Sequence, residues 1–386
     1  VSAGPAGLRG LPSAVWLLGA VSFLNDAASD LVYPLVPLFV AQVLGAGPRA
    51  LGAIEGVANA TAALLKLVSG AVYDRVPRAK GWLVAGYGLP ALARPLIAFA
   101  GSTLTLGLLR VADRIGKGLR SAPRDALLAR AVAPAQRGLA FGVHRAMDHA
   151  GNVAGPLAAA ALLAAGLGLR EIFLWTIVPG VLCVALALAV REPADAALPA
   201  ARIEWSWRAL PPAYRRYLAI VGLFTLSQAS STFLLLRAVQ VGVPAPMVPL
   251  LWALQAAVAM VLSAPLAALS DRLPRRRLIA GGWLLYAAAF GLLGGLAAAP
   301  WSIVLLLALH GVVVAATEGA EKALVADLVP ETRLGTAFGW FHLVCGAMLI
   351  PASVAFGALW EAFGAGAAFA ASGLVAAVAA AWLIRG

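Results

Sequence analysis

Gly70-Ala71-Val72-Tyr73-Asp74-Arg75-Val76-Pro77-Arg78-Ala79-Lys80 decides how the rest of the chain is read. An apolar run ends here in an acid and spaced basic residues, and a second apolar run begins at Gly81. Part of the stretch is written twice: Asp74-Arg75-Val76-Pro77-Arg78 returns as Asp271-Arg272-Leu273-Pro274-Arg275, 197 positions later. Pro134-Ala135-Gln136-Arg137 ahead of Ala140-Phe141-Gly142 likewise returns as Pro330-Glu331-Thr332-Arg333 ahead of Ala337-Phe338-Gly339, offset by 196 and then 197. Two separate matches at one offset indicate an internal duplication, with two parallel halves.

The duplicated segments are apolar. Of 386 residues, 62% are hydrophobic and 12% charged, with a mean hydropathy of +0.90. Soluble domains hold about 45–50% apolar and about 25% charged residues. An ordinary cytosolic enzyme or a nucleic-acid-binding domain is thereby excluded, despite a pI near 10.6. A spanning helix needs about 20 mainly apolar residues. Uncharged stretches of that size lie at 172–190, 217–236, 278–299, 335–360 and 362–384. The pattern predicts an all-α integral membrane fold of twelve helices: 12–41, 50–73, 81–99, 102–128, 138–165, 171–190, 213–236, 246–270, 278–299, 301–328, 335–358 and 362–384. A turn is expected near 244–246. Strand-sized alternation, the mark of a membrane β-barrel, is absent. The longest polar connection, 191–216, follows the sixth predicted helix. It divides the chain into a first bundle over 1–190, a linker over 191–212 and a second bundle over 213–386. The first apolar stretch, with Asn25, Asp26 and Asp30, reads as a retained helix rather than a signal peptide. Cys183 and Cys345 read as buried thiols without metal-ligand spacing. No cofactor or metal is expected.

Basic residues set the expected orientation. One set of alternate loops, with the two termini, holds 17: Arg9, Arg75, Arg78, Lys80, Arg130, Arg137, Arg191, Arg202, Arg208, Arg215, Arg216, Arg272, Arg275, Arg276, Arg277, Arg333 and Arg385. The opposite loops hold Arg49, Arg170 and Arg237. Both termini are therefore expected in the cytoplasm of a bacterial inner-membrane, multi-pass protein. This asymmetry accounts for most of the +12 net charge.

The remaining nine basic residues fall inside predicted helices, and eight acidic residues join them. They are Lys66, Arg94, Arg110, Arg114, Lys117, Arg120, Arg124, Arg145 and Lys322, with Asp26, Asp30, Glu55, Asp113, Asp125, Asp148, Glu318 and Glu321. Each costs about 2.5–3.5 kcal/mol or more against lipid, so each must face protein or a water-filled path. At about 100° per residue, Arg110, Asp113, Arg114, Lys117, Arg120 and Arg124 share an arc of about 120°. Asp26 and Asp30 lie one turn apart, Glu55 and Lys66 share a face, and His144, Asp148 and Asn152 form another polar strip. Two readings stand side by side. Arg110, Asp113 and Arg114 form either a buried structural set or part of the working site, and Arg120 and Arg124 either snorkel or work. His310 and His342 read as satisfied core groups. Fourteen of these 17 charges belong to the first half, which assigns it the coupling chemistry. Carboxylates such as Asp26, Asp30, Glu55 and Asp148 can load and release a proton as a cavity changes sides. The first-half excess of eight basic over six acidic residues favours an anionic or zwitterionic solute.

Gly70 to Lys80 resembles the signature Gly-x-x-x-Asp-Arg-x-Gly-Arg-x-Lys/Arg of the major facilitator superfamily, with Pro77 in place of the Gly, and Asp271 to Arg277 resembles its second copy. The resemblance covers the whole chain. It implies the twelve-helix fold of two pseudo-symmetric six-helix bundles, and a cytoplasmic gate at Gly70, Asp74, Arg75, Arg78, Asp271, Arg272 and Arg275. In that gate the Asp caps a neighbouring helix N-terminus and the Arg residues hold the end closed. Arg114-Ile115-Gly116-Lys117-Gly118 resembles the family's Arg-x-x-Gln-Gly, whose Arg is implicated in proton coupling; Lys117 replaces the Gln. Gly151-Asn152-Val153-Ala154-Gly155-Pro156 resembles the antiporter motif Gly-x-x-x-Gly-Pro. The phrase over 113–125 resembles a bacterial subgroup. Together these resemblances imply a secondary transporter, without catalytic residues, whose partners are a small and possibly anionic solute, protons and the bilayer. It needs no nucleic acid and is expected to be a monomer. Substrate and proton-coupling candidates are Asp26, Asp30, Glu55, Arg110, Asp113, Arg114, Lys117, Arg120, His144, Asp148 and Glu318. Proton-coupled efflux leads, and proton-coupled uptake of an anionic metabolite or metal chelate is the alternative. The clean duplication argues against a membrane enzyme built on His144, Asp148 and His149, and binding without counterflow would mark a sensor.

Overall fold

A computed structural model describes residues 7–46, 48–76, 78–190, 206–228, 231–243, 247–294 and 299–385. Pro77, most of the expected linker (191–205) and the expected turn at 244–246 lie outside them. Every described element is helical, and no strand occurs among the described residues. In hydrocarbon each backbone N–H and C=O must be bonded within the chain, which helices achieve segment by segment.

The first half contains α1 (Ser13–Val32), α2 (Val36–Gln42), α3 (Pro48–Arg75), α4 (Ala79–Leu96), α5 (Thr103–Arg130), α6 (Arg137–Ala164), α7 (Leu169–Trp175) and α8 (Ile177–Ala189). The second half contains α9 (Pro212–Ser227), α10 (Ser231–Gln240), α11 (Val248–Leu269), α12 (Arg275–Ala288), α13 (Pro300–Asp327) and α14 (Leu334–Arg385). Three expected helices are broken. The one over 213–236 ends at Ser227, where Gln228 is extended, and α10 begins at Ser231. The one over 12–41 passes through a 3-10 turn at Tyr33–Leu35, where Pro34 and Pro37 remove two backbone donors. The one over 171–190 breaks at Thr176, whose hydroxyl donates to the Phe173 carbonyl at 2.6 Å, just ahead of Pro179. α12 continues as a π-helix over Ala289–Gly294. α14 runs through the turn expected near 360 and leaves helical geometry at Gly364, where φ is 82° and glycine is the residue that fits.

Six stretches among the described residues are long and apolar enough to cross a membrane: Ser13–Gln42, Ala53–Arg75, Ala79–Phe99, Leu169–Ala189, Pro300–Asp327 and Glu331–Arg385. α5 and α6 have the length, 28 residues each, but both carry charges along their faces. Large apolar side chains such as Leu104, Val261, Ile350 and Phe363 stand exposed, as a lipid-facing surface requires.

Lipid is as apolar as leucine, so helices associate in it through close packing rather than through the hydrophobic effect. The two halves meet along α3 against α14 and α6 against α11. On the first seam Gly70 and Gly335 touch backbone to backbone; a Cβ built on Gly70 would stand 2.1 Å from the Gly335 carbonyl oxygen. One buried apolar cluster, with Phe141, Phe338 and Trp283, spans both halves. A second, around Phe39, Ile97 and Phe173, belongs to first-half helices alone.

Candidate functional site

Polar contacts between the halves concentrate at the end bearing the basic loops. There Asp74, at the close of α3, accepts the Gly335 and Thr336 amides at 2.7 and 2.6 Å. Asp271, after α11, accepts the Gly138 and Leu139 amides at 2.8 Å each. Each carboxylate thus caps the first turn of a helix in the other half, where backbone donors lack partners. Burial holds the Asp271 carboxyl above the ordinary range, an effect that those two donors and Arg275 offset only in part. Arginines close the ring. Arg130 reaches the Glu331 carbonyl at 2.7 Å and stands 3.7 Å from Asp74. Arg137 pairs with Asp327 and Glu331 at 3.1 and 3.2 Å. Arg275 pairs with Asp271 at 3.0 Å and Asp327 at 2.6 Å.

One level deeper, Asp125 of α5 is fully buried and crosses between the halves. It accepts Lys322 Nζ at 3.0 Å and His342 Nε2 at 2.9 Å, while Arg124 binds its other oxygen at 3.1 Å. Beside it Arg145 of α6 pairs with Glu318 of α13 and with Asp148, the latter at 2.8 Å, and His149 lies 3.4 Å from Glu318. Glu321 instead accepts the indole N–H of the buried Trp283 at 3.0 Å. His342 is therefore not a lone core histidine but part of the crossing. His310 packs among Tyr286 and Phe290, and its Nδ1 has no hydrogen-bond partner.

Toward the far end of α5 lies a set confined to the first half. Asp113 is paired with Arg94 at 2.8 Å and Arg114 at 3.1 Å; Arg110 is paired with Glu55 at 2.7 Å. Arg94 also donates to the Asn25 carbonyl at 2.9 Å. Arg120 donates to the Gly86 carbonyl at 2.8 Å and stacks over Tyr87. With i+3 and i+4 spacing and a 1.5 Å rise, the stripe from Arg110 to Asp125 covers roughly 22 Å of depth.

Besides Arg120 and Glu321, four charges at mid-depth lack an ion pair among the described residues: Asp26 and Asp30 on α1, Lys66 on α3 and Lys117 on α5. All are partly exposed, Lys117 the most. Asp26 accepts only the neighbouring Asn25 amide, at 2.7 Å. With its amide nitrogen turned toward Asp30, Asn152 donates to that carboxylate at 3.1 Å. Gly151 and Gly155 of α6 lie directly against this part of α1, so that added Cβ atoms would meet the Phe23 and Ala27 carbonyls at 2.6 Å. The glycine pair fixes the backbone that carries both carboxylates.

Residues 18–241 and 217–386 match the family model of the Major Facilitator Superfamily. An uncharacterized MFS-type transporter of Methanocaldococcus jannaschii is 31% identical over 363 residues, covering 92% of this chain and 90% of that protein. The chain belongs to the Major Facilitator Superfamily. The Photorhabdus laumondii multidrug resistance protein MdtH is 28% identical over 321 residues, 81% of this chain and 78% of that one. The crystal structure of the human organic anion transporter MFSD10 superposes with a TM-score of 0.80 at 18% identity, covering 96% of this chain and 98% of the other, which is a likeness of fold. This Major Facilitator Superfamily chain is a membrane-embedded, multi-pass transporter, not an enzyme.

In this transporter the solute and proton candidates named from sequence fall into three groups, with Arg120 apart. Asp26, Asp30 and Lys117 stand unpaired at mid-depth. Glu55, Arg110, Asp113 and Arg114 form one ion-pair set, Arg120 is spent on a backbone carbonyl, and His144, Asp148 and Glu318 gather around Arg145. Of the gate residues, Gly70, Asp74, Asp271 and Arg275 lie in the seams, whereas Arg75, Arg78 and Arg272 are exposed and without polar partners among the described residues. The contacts expected of them across that end are made instead by Arg130 and Arg137, which by sequence count only as loop charges. Asp125, Lys322, His342 and Arg145 also lie outside the candidate site named from sequence. The repeat offset of 197 was the available signal, since it carries Asp125 onto Lys322 and Arg145 onto His342.

Proposed function

We propose that this transporter exports a small organic solute across the bacterial inner membrane in exchange for protons. Twelve spans form two six-helix bundles, over 1–190 and 213–386, that rock about a mid-depth site, with both termini in the cytoplasm. The observation that carries this reading is the pair Asp26 and Asp30. They are carboxylates without a cation partner, partly exposed, on a helix clamped by Gly151 and Gly155. A carboxylate already held by arginine has little reason to take a proton; these two are free to do so. The capped seams serve as the cytoplasmic gate, closed in this conformation, and Asp125 with Lys322 and His342 forms its inner layer. The likeness to MdtH and the Gly-x-x-x-Gly-Pro sequence support export.

The test is a proteoliposome assay with a pH-sensitive dye trapped inside and a solute panel of cations, neutral compounds and carboxylates added outside. Antiport predicts that an accepted solute drives protons out as it enters. Asp26→Asn or Asp30→Asn should abolish that proton movement while solute exchange persists. Proton movement in the same direction as the solute would replace export with uptake. Uptake is the second reading, favoured by the basic excess on the first-half helices.

A further inference from the structure

We propose that Lys66 and Lys117 form an oxyanion-binding site, which gives the transported solute a carboxylate or phosphate group. α3 and α5 cross where Gly118 has no side chain: an added Cβ would stand 2.6 Å from Leu65 Cβ and 3.1 Å from the Ala62 carbonyl oxygen. Ser69 locks the crossing by donating to the Gly118 carbonyl at 2.8 Å. Lys66 follows Leu65 and Lys117 precedes Gly118, so the two residues stand at one depth on neighbouring helices, with Lys66 in the field of Lys117.

Both are exceptions. Each of the other membrane-embedded basic residues has a bonded partner: Arg94, Arg110 and Arg114 in the Asp113 and Glu55 set, Arg120 on the Gly86 carbonyl, Arg124 and Lys322 on Asp125, and Arg145 on Glu318. Ser69 and Ser121 donate to the backbone carbonyls of Lys66 and Lys117, whose ammonium groups have neither a hydrogen bond nor an ion pair among the described residues. The groups near them do not supply one. Lys66 lies in the field of Lys117, Lys322, His342, Cys345 and Asp125, and Lys117 in that of Arg114, Arg120, Asp26, Asp30 and Asp113. Asp113 is held by arginines, and Asp125 is held by Arg124, Lys322 and His342. Asp26 and Asp30 are the carboxylates left over; both lie in the field of Lys117 without a bond to it, and neither is among the charges acting on Lys66. A lysine in lipid is costly, so Lys117, the most exposed charge of the stripe, faces a watered space and not the bilayer. Two flexible cations at one depth, neither bonded to a carboxylate, suit an oxyanion and repel a cation.

The inference rests on reading this space as the solute path, and binding can be tested without transport. The full chain in phosphatidylcholine nanodiscs, free of anionic lipid, is melted with inorganic phosphate, pyrophosphate, succinate or benzoate. Putrescine and succinamide serve as controls, and ionic strength is matched throughout. At least one oxyanion should raise the melting temperature, because a ligand of the folded state stabilises it by mass action. Lys66→Gln or Lys117→Gln should weaken its binding by about tenfold to a hundredfold, the worth of one charge-assisted hydrogen bond. Lys66→Arg and Lys117→Arg should retain it, and each variant's own melting curve reports folding. Stabilisation by no oxyanion, or stabilisation that survives both Gln changes, overturns the proposal. Oxyanion binding without solute movement in proteoliposomes would leave this site standing and remove the transport reading. Transport with unchanged oxyanion affinity in both Gln variants would do the reverse.

Discussion

Asp74 and Asp271 hold the same post in the two halves of the transporter. Each ends a turn, accepts two amides at the start of a helix in the other half, and stands beside an arginine. One level deeper the same repeat offset lines up Arg124-Asp125 with Glu321-Lys322, equivalent positions with the charges reversed. Identical residues make two equal caps, whereas inverted residues let a position pair with its own counterpart, as Asp125 does with Lys322 at 3.0 Å. On the proposed function, duplication supplies the mechanics of closing, and divergence between the copies supplies the charge pairs and the unpaired groups assigned to proton and solute.

The largest expected effect comes from removing the inverted pair. Asp125→Asn leaves Lys322, His342 and Arg124 buried around a neutral group, a loss of about 3–5 kcal/mol for breaking a buried pair. Thermal unfolding should show it. The double change Asp125→Asn with Lys322→Gln should recover part of the loss, with a coupling of at least about 0.5 kcal/mol. Strict additivity would mean that the inverted positions do not act as a pair. Next comes the seam itself. Gly70→Ala forces α3 away from the Gly335 carbonyl, and overpacking of this kind costs about 1–3 kcal/mol. Spin labels at Arg75→Cys and Arg272→Cys, with Cys183 and Cys345 replaced, should report a longer mean distance across the basic-loop end. The caps come third. Asp74→Asn and Asp271→Asn should each cost about 0.5–2 kcal/mol and by similar amounts, because the two sites are copies. A several-fold difference in their effects on the melting temperature would show that the copies have diverged. Smallest of all, Arg75→Ala, Arg78→Ala and Arg272→Ala should stay within about 0.5 kcal/mol of the parent, since these side chains are exposed and hold no polar partner among the described residues.

Much of this fold is legible in sequence, because apolar run length and the repeat need no knowledge of tertiary contacts. The breaks at Tyr33–Leu35 and Thr176 are harder: a proline inside an apolar run is compatible with either a kink or an end. Within the site, Asp26, Asp30 and Lys117 are visible as isolated charges in apolar helices. Which charges are already satisfied is not, because partner choice depends on how the helices dock. Glu55 shares a helix face with Lys66, yet its partners are Arg110 and Arg114 on another helix. Arg130 and Arg137 count as loop charges by position and become seam residues only when the halves meet.

If unpaired mid-depth carboxylates carry the proton while the caps only hold the end shut, spin-label distances across that end should separate the two roles. The labels at positions 75 and 272 are read at pH 5.5 and pH 8, in the parent and in Asp26→Asn/Asp30→Asn and Asp74→Asn backgrounds. The expected distance distribution shifts with pH in the parent, no longer shifts in the double carboxylate variant, and still shifts in Asp74→Asn, although from a more open starting point. A pH response that survives loss of both Asp26 and Asp30, or that disappears with Asp74 alone, would contradict this division of labour.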